Sequence, residues 1–508
     1  MVIYKLCLMF YLFCFVLISI KNVICQDNII VHLFEWKFND IARECREFLG
    51  PYGYHGVQVS PVNEYAISEG RPWSERYQPF SYKIISRSGN VEEFFAMVQA
   101  CNKANVTVYV DVVFNHMSAT LSPGAKGIGG STADTKNKYY PAVPYAYKNF
   151  HKTCEILSYQ DAQQVRNCEL DGLHDLDHSQ LYVRKKVINY LNTLLKLGVG
   201  GFRVDAAKHM WPAQLKEIYD QLDDLSTDAG FSAGSRPFIY QEVIDYGGEA
   251  IKATEYTDFG HVTEFRYGIE LSRAFRGKNL LKWLRSFGPD WNLMPSKSAL
   301  VFIDNHDTQR SGGDFLTYKD SRKYKMAVGF MLSWPYGTKR VMSSFDFSSR
   351  DQGPPHNPDM TIKDVTINPD MTCNNGWICE HRWRQIYNMV GFSNIVKGTF
   401  VENFWDNGSN QIAYCRGNKG FIAINGNNYD LNQTLMTCLP AGLYCDIISG
   451  LKREHKCTGK SVEVDDNGKA QIHLSTHDED GILAIHIQSR LESIRNLGGV
   501  PDSIVYYK

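Results

Sequence analysis

The sequence predicts an α/β protein: a parallel (β/α)8 TIM barrel, with an irregular β-rich domain inserted after the third strand and a C-terminal antiparallel β-sandwich (Greek key) domain. Three observations carry this expectation. Eight short apolar, β-branched runs alternate with amphipathic stretches, the pattern of a parallel sheet with crossover helices. The alternation is interrupted once, over residues 117–176, which are rich in Gly, Ser, Tyr and Asn. After about Thr399 the texture changes to short alternating runs separated by Asn and Gly turns.

Taken in order, the strand candidates are Ile29–Phe34, Gly56–Ser60, Val106–Phe114, Gly201–Ala206, Phe238–Val243, Val262–Phe265, Leu300–Ile303 and Arg340–Met342. Between them, Phe38–Phe48, Val91–Ala104, Leu181–Leu197, Pro212–Leu225, Ile269–Phe287, Ser321–Leu332 and Arg382–Val390 place apolar residues at helical spacing. A doubly wound open sheet would alternate similarly, but no GxGxxG loop follows an early strand. The barrel is assigned residues 26–116 and 177–399, the insertion 117–176 and the C-terminal domain 400–508. In that last domain Gln411–Cys415, Gly420–Ala423, Val462–Val464, Ile472–Leu474 and Ile482–Ile487 read as strands.

Residues 1–25 read as a cleaved secretion signal. Lys5 precedes an apolar stretch from Leu6 to Ile20, too short to span a bilayer, and Val23 and Cys25 are small enough to precede a cut at Gln26. The mature chain is therefore expected to be extracellular, with no membrane association. A net charge of −1, without long runs of one sign, gives no electrostatic basis for a nucleic-acid partner. Beyond the leader, ten of the 13 cysteines remain: Cys45, Cys101, Cys154, Cys168, Cys373, Cys379, Cys415, Cys438, Cys445 and Cys457. An even number in a secreted chain implies disulfides without specifying their pairing. Asn407-Gly-Ser and Asn432-Gln-Thr are candidate glycosylation sequons; Asn105-Val-Thr falls in an apolar run and is expected to be buried.

In a (β/α)8 barrel, functional groups gather just past the C-terminal ends of the strands. Four segments there are rich in acids and histidines: Asp111-Val-Val-Phe-Asn-His116, Gly201-Phe-Arg-Val-Asp-Ala-Ala-Lys-His209, Gln241-Glu-Val-Ile-Asp245 and Phe302-Ile-Asp-Asn-His-Asp307. Side chains two apart on a strand share a face, so Arg203 pairs with Asp205, Asp111 with Val113 and Asn115, and Asn305 with Asp307. Carboxylates in a packed barrel are costly unless paired. Asp205, Glu242 and Asp307, from strands four, five and seven, would converge on one mouth. Two or three such carboxyls suit glycosidic cleavage, in which one donates a proton and another attacks or stabilises the sugar.

These four segments resemble the signature regions of the α-amylase family of glycoside hydrolases. GFRVDAAKH, EVID and FIDNHD occur in that order, and RPWSERYQPFSYKI, YGTKRVMSS and GLYCDIISG are similar to animal, in particular arthropod, members. The resemblance implies endohydrolysis of internal α-1,4-glucosidic bonds in starch, glycogen and malto-oligosaccharides by a retaining mechanism, in a secreted, monomeric digestive enzyme. It assigns Asp205 as nucleophile, Glu242 as general acid/base and Asp307 as the third acid. Arg203 would keep Asp205 ionised. Trp73, Tyr77, Asp111, His116, Tyr159, Arg203, Lys208 and His306 would contact substrate. The resemblance also implies one Ca2+, held by Asn115, Arg166, Asp175 and His209, the arginine and the histidine through their carbonyls. It implies one Cl− as activator, between Arg203, Asn305 and Arg340. It further implies disulfides joining Cys45 to Cys101, Cys154 to Cys168, Cys373 to Cys379 and Cys445 to Cys457; Cys415 and Cys438 remain and are expected to pair. Two departures stand out: Ser74 occupies a position usually aromatic, and the loop after the third acid is shortened to Arg310-Ser-Gly-Gly-Asp314. An α-glucosidase or transglycosylase would keep the same acids. A non-catalytic sugar-binding relative would typically have lost one, and all three are present.

Overall fold

The computed structural model describes residues 28–492; the expected secretion signal lies outside the described residues. Eight parallel strands close into a barrel: β1 (Ile29–Leu33), β2 (Gly56–Val59), β3 (Thr107–Val112), β4 (Gly201–Val204), β5 (Phe238–Gln241), β6 (His261–Thr263), β7 (Ala299–Val301) and β8 (Thr338–Ser343). Each overlaps an expected run, and β8 pairs back onto β1 with Arg340 opposite Ile30. Packing inside is tight. A side chain at Gly201 would place its Cβ 1.9 Å from the Phe238 carbonyl oxygen, so only glycine fits between β4 and β5.

The barrel interior is layered. Ile30, Tyr109, Tyr240, Leu300 and Phe302 form an apolar plug. Above it His32, Gln58, Arg203 and Arg340 form a buried polar layer, tied by Gln58 Oε1, which accepts from Tyr240 Oη at 2.9 Å and from Arg340 at 2.8 Å.

The helices are α1 (Phe38–Glu44), α2 (Val91–Lys103), α3 (Ala162–Asn167), α4 (Leu181–Lys196), α5 (Pro212–Asp220), α6 (Phe265–Phe275), α7 (Ser321–Ser333) and α8 (Arg384–Ile395). Capping explains where some begin and end. Asn90 and Glu93 form a reciprocal capping box at the start of α2. Glu264 accepts from the Arg266 N–H and starts α6 earlier than apolar spacing suggests. That helix stops at Phe275, ahead of Gly277 at φ 78°, and Leu281–Ser286 is a separate 3-10 turn.

Two excursions rise above the C-terminal ends of the strands. Between β2 and α2, Asn63–Tyr65 pairs with Pro79–Ile84 and carries a turn containing Trp73 and Tyr77. Between β3 and β4, the insertion is mostly isolated bridges and turns around one short helix, α3, and its strand His116–Ala119 pairs with Leu173–Asp175.

The ten cysteines form five disulfides, four of them the pairs that the resemblance implies. Cys45 at the end of α1 is bonded to Cys101 in α2, which fastens the first two helices of the barrel together. Cys154 and Cys168 close a loop within the insertion, on either side of α3. Cys373 and Cys379 close a short loop between β8 and α8. Cys445 and Cys457 bridge within the C-terminal domain. Cys415 and Cys438, left over by the matching, also form a disulfide there.

The C-terminal all-β unit contains β9 (Val401–Asp406), β10 (Gln411–Arg416), β11 (Gly420–Asn425), β12 (Leu431–Met436), β13 (Gly442–Cys445), β14 (Ser461–Val464), β15 (Lys469–Leu474) and β16 (Ile482–His486), all paired antiparallel. β10 and β11 are buried along their whole length. One face joins this unit's own core, while Ile412, Tyr414, Ile422 and Ile424 join the barrel's. The Tyr414 hydroxyl lies 2.6 Å from the Ser333 hydroxyl at the end of α7.

Asn105 departs from expectation: it is exposed, at φ 58° in the turn between α2 and β3, because the strand begins only at Thr107. The Asn407 amide is bound to Gln411 and Tyr429, whereas Asn432 is exposed.

Candidate active site

The β4 sequence sets the centre of the site. Arg203 points into the barrel, and Asp205, one residue beyond the strand, shares its side. The Arg203 guanidinium is 1% exposed and serves three carboxyls: Asp111 at 2.6 Å, Asp205 at 2.8 Å and Glu242 at 2.6 Å. Asp111 comes from β3, directly opposite Arg203 in register, and Glu242 from the end of β5. Ala206 turns into the left-handed region at φ 49° and donates its N–H to Glu242 Oε2 at 2.9 Å. The non-glycine left-handed residue carries backbone strain, held by the contacts on either side of it.

Asp307 enters from the turn after β7. Asn305 and Asp307 do not share a strand face, because the strand ends at Val301; instead Asn305 Oδ1 accepts from the N–H groups of Asp307 and Thr308 at 3.0 and 2.7 Å, forming the turn that presents the third acid. His306 Nε2 is 3.2 Å from Asp307. All three acids line one cleft of about 620 Å3.

The electrostatics differ from the simple picture of one arginine holding one carboxylate. Burial, and next the Glu242 carboxylate, push Asp205 well above the ordinary carboxylate range, while Arg203 opposes them. Asp307 is raised to about 7 by burial and then by Glu242. One cation is divided among three carboxyls, so the cluster favours retaining a proton. Both Glu242 oxygens accept from donors, Arg203 and the Ala206 N–H.

The histidines at the cleft are neutral. Burial lowers His116 to about 4, His209 to about 3 and His306 well below its usual value. His116 Nε2 faces the Tyr77 carbonyl at 3.0 Å and must donate there, so Nδ1 accepts from the Asn115 amide at 3.1 Å.

Most expected sugar contacts meet in the cleft: Trp73, Tyr77, His116, Tyr159, Lys208 and His306 line it. Tyr77 stacks on His306, with centroids 5.4 Å apart and planes within 7°. Lys208 lies 4.8 Å from the Tyr159 ring centroid and pairs with Glu249. Two expected contacts are placed differently. Asp111, 0% exposed, lies beneath the floor, where it holds Arg203 and accepts from Tyr77 Oη at 2.9 Å, and Arg203 is beneath it too. Both orient the groups that touch the cleft. Ser74 is in the lining, at the position noted as usually aromatic.

The expected ion ligands leave unused valences. Asn115 Oδ1 and Asp175 Oδ1 are buried oxygens without a hydrogen-bond partner. The two residues adjoin, since the Leu176 N–H donates to the Asn115 carbonyl at 3.0 Å, and His209 Nδ1 donates to the Val165 carbonyl at 2.9 Å, next to Arg166. Unpaired hard oxygens of this kind fit a Ca2+. Among the described residues there is no group of three or more His, Cys, Asp or Glu that could hold a metal. Arg340 is 3% exposed and lies within electrostatic reach of Arg203, and its hydrogen bond goes to the neutral Gln58 amide. Two buried guanidiniums close together, one without a carboxylate, fit an anion. Strand alternation separates the two basic residues of β8: Arg340 faces the barrel interior and Lys339 points the other way.

Several lining residues escaped the sequence reading: Gln78, Leu170, Asp171, Ile244, Tyr246 and Glu249. Tyr246 and Glu249 follow the Glu242 segment directly, and that proximity was the available signal.

Comparison with known proteins agrees with this geometry. The profile described as "Alpha amylase, catalytic domain" matches residues 47–268, and "Alpha amylase, C-terminal all-beta domain" matches 402–488. The chain is 57% identical over 464 residues to the alpha-amylase-related protein of Drosophila willistoni, covering 91% of this chain and 94% of that protein; the Drosophila melanogaster protein is 56% identical with the same coverage. Among solved structures, wild-type α-amylase I from the earthworm Eisenia fetida superposes with a TM-score of 0.86 at 44% identity, covering 91% of this chain and 97% of that one. A glutamate-to-glutamine variant of the earthworm enzyme, in complex with maltohexaose, superposes with a TM-score of 0.87 at the same identity and coverage. By fold, site and sequence, the chain belongs to the α-amylase family of glycoside hydrolases.

Proposed function

We propose that this protein is a secreted α-amylase that hydrolyses internal α-1,4-glucosidic bonds of starch, glycogen and malto-oligosaccharides with retention. The supporting observation is the meeting of Asp205, Glu242 and Asp307 in one cleft, around a buried arginine. Asp205, whose ionised form Arg203 favours against burial and Glu242, attacks the sugar carbon as a carboxylate while Glu242 donates a proton to the leaving oxygen; Glu242 then takes a proton from water, which releases the sugar from Asp205. Asp205 and Glu242 contact the two terminal nitrogens of one guanidinium. That favours the short carboxyl separation of retaining enzymes, about 5 Å, over the longer inverting one. Asp307, with His306 beside it, bonds sugar hydroxyls. The neutral imidazoles of His116 and His306 offer hydrogen bonds without adding charge.

Asn115, Asp175 and the carbonyls of Arg166 and His209 would hold a Ca2+, which supplies a cross-link between the insertion and the barrel. Arg203, Asn305 and Arg340 would hold a Cl−, which supplies negative charge between the two guanidiniums. The five disulfides fit an extracellular setting, and among the described residues no helix is long and apolar enough to cross a membrane. In this reading the enzyme acts as a monomer.

The test is Glu242→Gln. We expect kcat on soluble starch to fall by a factor on the order of 10² to 10⁴, with the melting temperature little changed. Wild-type enzyme should abolish iodine staining before free glucose accumulates. Unimpaired hydrolysis by the variant would reject the mechanism, and early glucose release would reject endo cleavage.

A further inference from the structure

The cleft has a second aromatic wall that none of the family signature segments contains. Tyr246 follows the Glu242-Val-Ile-Asp segment, is 44% exposed and lines the cleft. An exposed tyrosine on a mobile loop would mean little, but this one is braced. Phe265 lies 6.1 Å away, edge-on, and Phe315 lies 6.5 Å away. Asp245 ties the loop down, accepting from Gly247 N–H at 2.8 Å and Ala253 N–H at 3.0 Å. Farther along, Gln160 donates to the Gly248 carbonyl, and Ala250 N–H donates to the Tyr159 carbonyl at 3.1 Å, which joins the loop to the insertion.

The shortened loop supports Tyr246 from behind, without itself lining the cleft. Arg310 at one end donates to the His306 carbonyl at 2.8 Å, and Asp314 at the other pairs with Arg273 and Lys278. The loop is pinned at both ends, and Phe315 comes directly after it, beside the Tyr246 ring.

The position along the cleft follows from the chemistry. Glu242 protonates the oxygen that departs with the leaving half of the chain, so the residues that extend from Glu242 face that half. Trp73 and Tyr77 stand with His306 as a separate aromatic cluster. We propose that Tyr246 is a specificity-determining residue: a braced aromatic platform, beyond Ile244 in the lining, that stacks the second glucose unit of the leaving half rather than the one that carries the departing oxygen. A phenol ring offers a flat apolar face to the C–H face of a sugar and keeps its hydroxyl for solvent or a sugar hydroxyl.

The inference rests on the hydrolase reading for its direction along the cleft, and its test separates the two. Maltopentaose labelled at the reducing end is cleaved by wild type, Tyr246→Phe, Tyr246→Leu and Tyr246→Ala. Tyr246→Phe should retain the wild-type KM and bond pattern. Tyr246→Leu and Tyr246→Ala should raise KM about 3- to 10-fold, the effect of one aromatic face, with a smaller change in kcat. Their preferred cleavage should shift to bonds that leave fewer glucose units on the labelled side. Tyr246→Leu preserves apolar packing on Phe265 and Phe315 should the alanine variant fold poorly. The same substitutions in a Glu242→Gln background, read by maltopentaose binding, report the platform without turnover; the leucine variant should bind about 3- to 10-fold more weakly. Unchanged KM, bond pattern and binding in Tyr246→Leu would overturn the platform and leave the hydrolase reading intact. Absence of cleavage by wild type would overturn the hydrolase reading while the binding series still decides the platform.

Discussion

Arg203 is the residue on which the site's charge depends. A buried guanidinium shared by Asp111, Asp205 and Glu242 cannot neutralise all three, so the protonation of the cluster depends on what else lies nearby. Arg340 is the nearest answer. Burial lowers its affinity for a proton, and Arg203 adds to that. A second buried cation, anchored on the neutral Gln58 amide, creates a place for an anion. Replacing Arg340 by Gln keeps that hydrogen-bonding capacity and removes the charge. Activity of Arg340→Gln should therefore lose its response to NaCl. In saturating salt kcat should fall on the order of tenfold, equivalent to about 1.4 kcal/mol of barrier. A salt response equal to that of wild type would exclude the anion site.

At the scale of elements, the turn after β7 carries the third acid and rests on a buried acidic pair. Asp304 accepts from Gln309 at 2.7 Å and from Tyr324 Oη at 2.9 Å, and Glu380 accepts from both the hydroxyl and the N–H of Ser344. Gln309 donates to Ser344 Oγ at 2.5 Å and so connects the two. Burial raises Asp304 to about 7, opposed by its hydrogen bonds and by Arg340; burial and then Asp304 raise Glu380 to about 8. Carboxyls raised in the folded state hold protons that the unfolded chain releases near pH 4. Their contribution is fully present below that pH and is lost as pH rises through about 7 and 8. Melting temperature should decline across this window, and Glu380→Gln should flatten the decline. A variant that melts with the wild-type pH slope would show that Glu380 does not hold this proton.

For the whole molecule, the proposed ion holds the insertion against the barrel. Asn115 lies just past β3, Asp175 at the end of the insertion and His209 past β4, so one ligand set joins segments far apart in sequence. Removing the ion leaves the buried Asn115 and Asp175 oxygens unsatisfied. Dialysis against EDTA should lower the melting temperature by roughly 3–5 °C, restored by added Ca2+. Free ion at a hundred times Kd contributes about 2.7 kcal/mol, and each kcal/mol shifts a chain of this size by about 2–4 °C or less. Melting that is indifferent to EDTA would argue against the site. The C-terminal unit is attached differently: it docks through β10 and β11, buried on both faces.

The strands were legible because fully buried parallel strands leave continuous β-branched runs, and the three acids because they sit at the ends of those runs. Helix ends were less so, since capping by Glu264 or the left-handed Gly277 overrides apolar spacing. Asn105 lies outside its expected setting because an apolar run shows where a strand passes but not where it starts. The cysteine count implied disulfides without saying why any two meet; Cys415 and Cys438, expected to pair only because they were left over, are brought together where β10 packs in the C-terminal unit. Asp111 and Arg203 were identified as functional groups and placed one layer too high: residue type and spacing do not say which carboxyl faces solvent and which lies under the floor. Tyr246 carries no signature, for its role comes from Phe265, Phe315 and the end of a shortened loop. By itself, then, the sequence determined the barrel, the order of its strands and the acids at their mouths, because local periodicity and short-range spacing encode these. Only the tertiary structure decided which cation each acid shares, which oxygens are left unpaired and which aromatic faces a substrate, because such properties arise from burial among groups brought together across hundreds of residues.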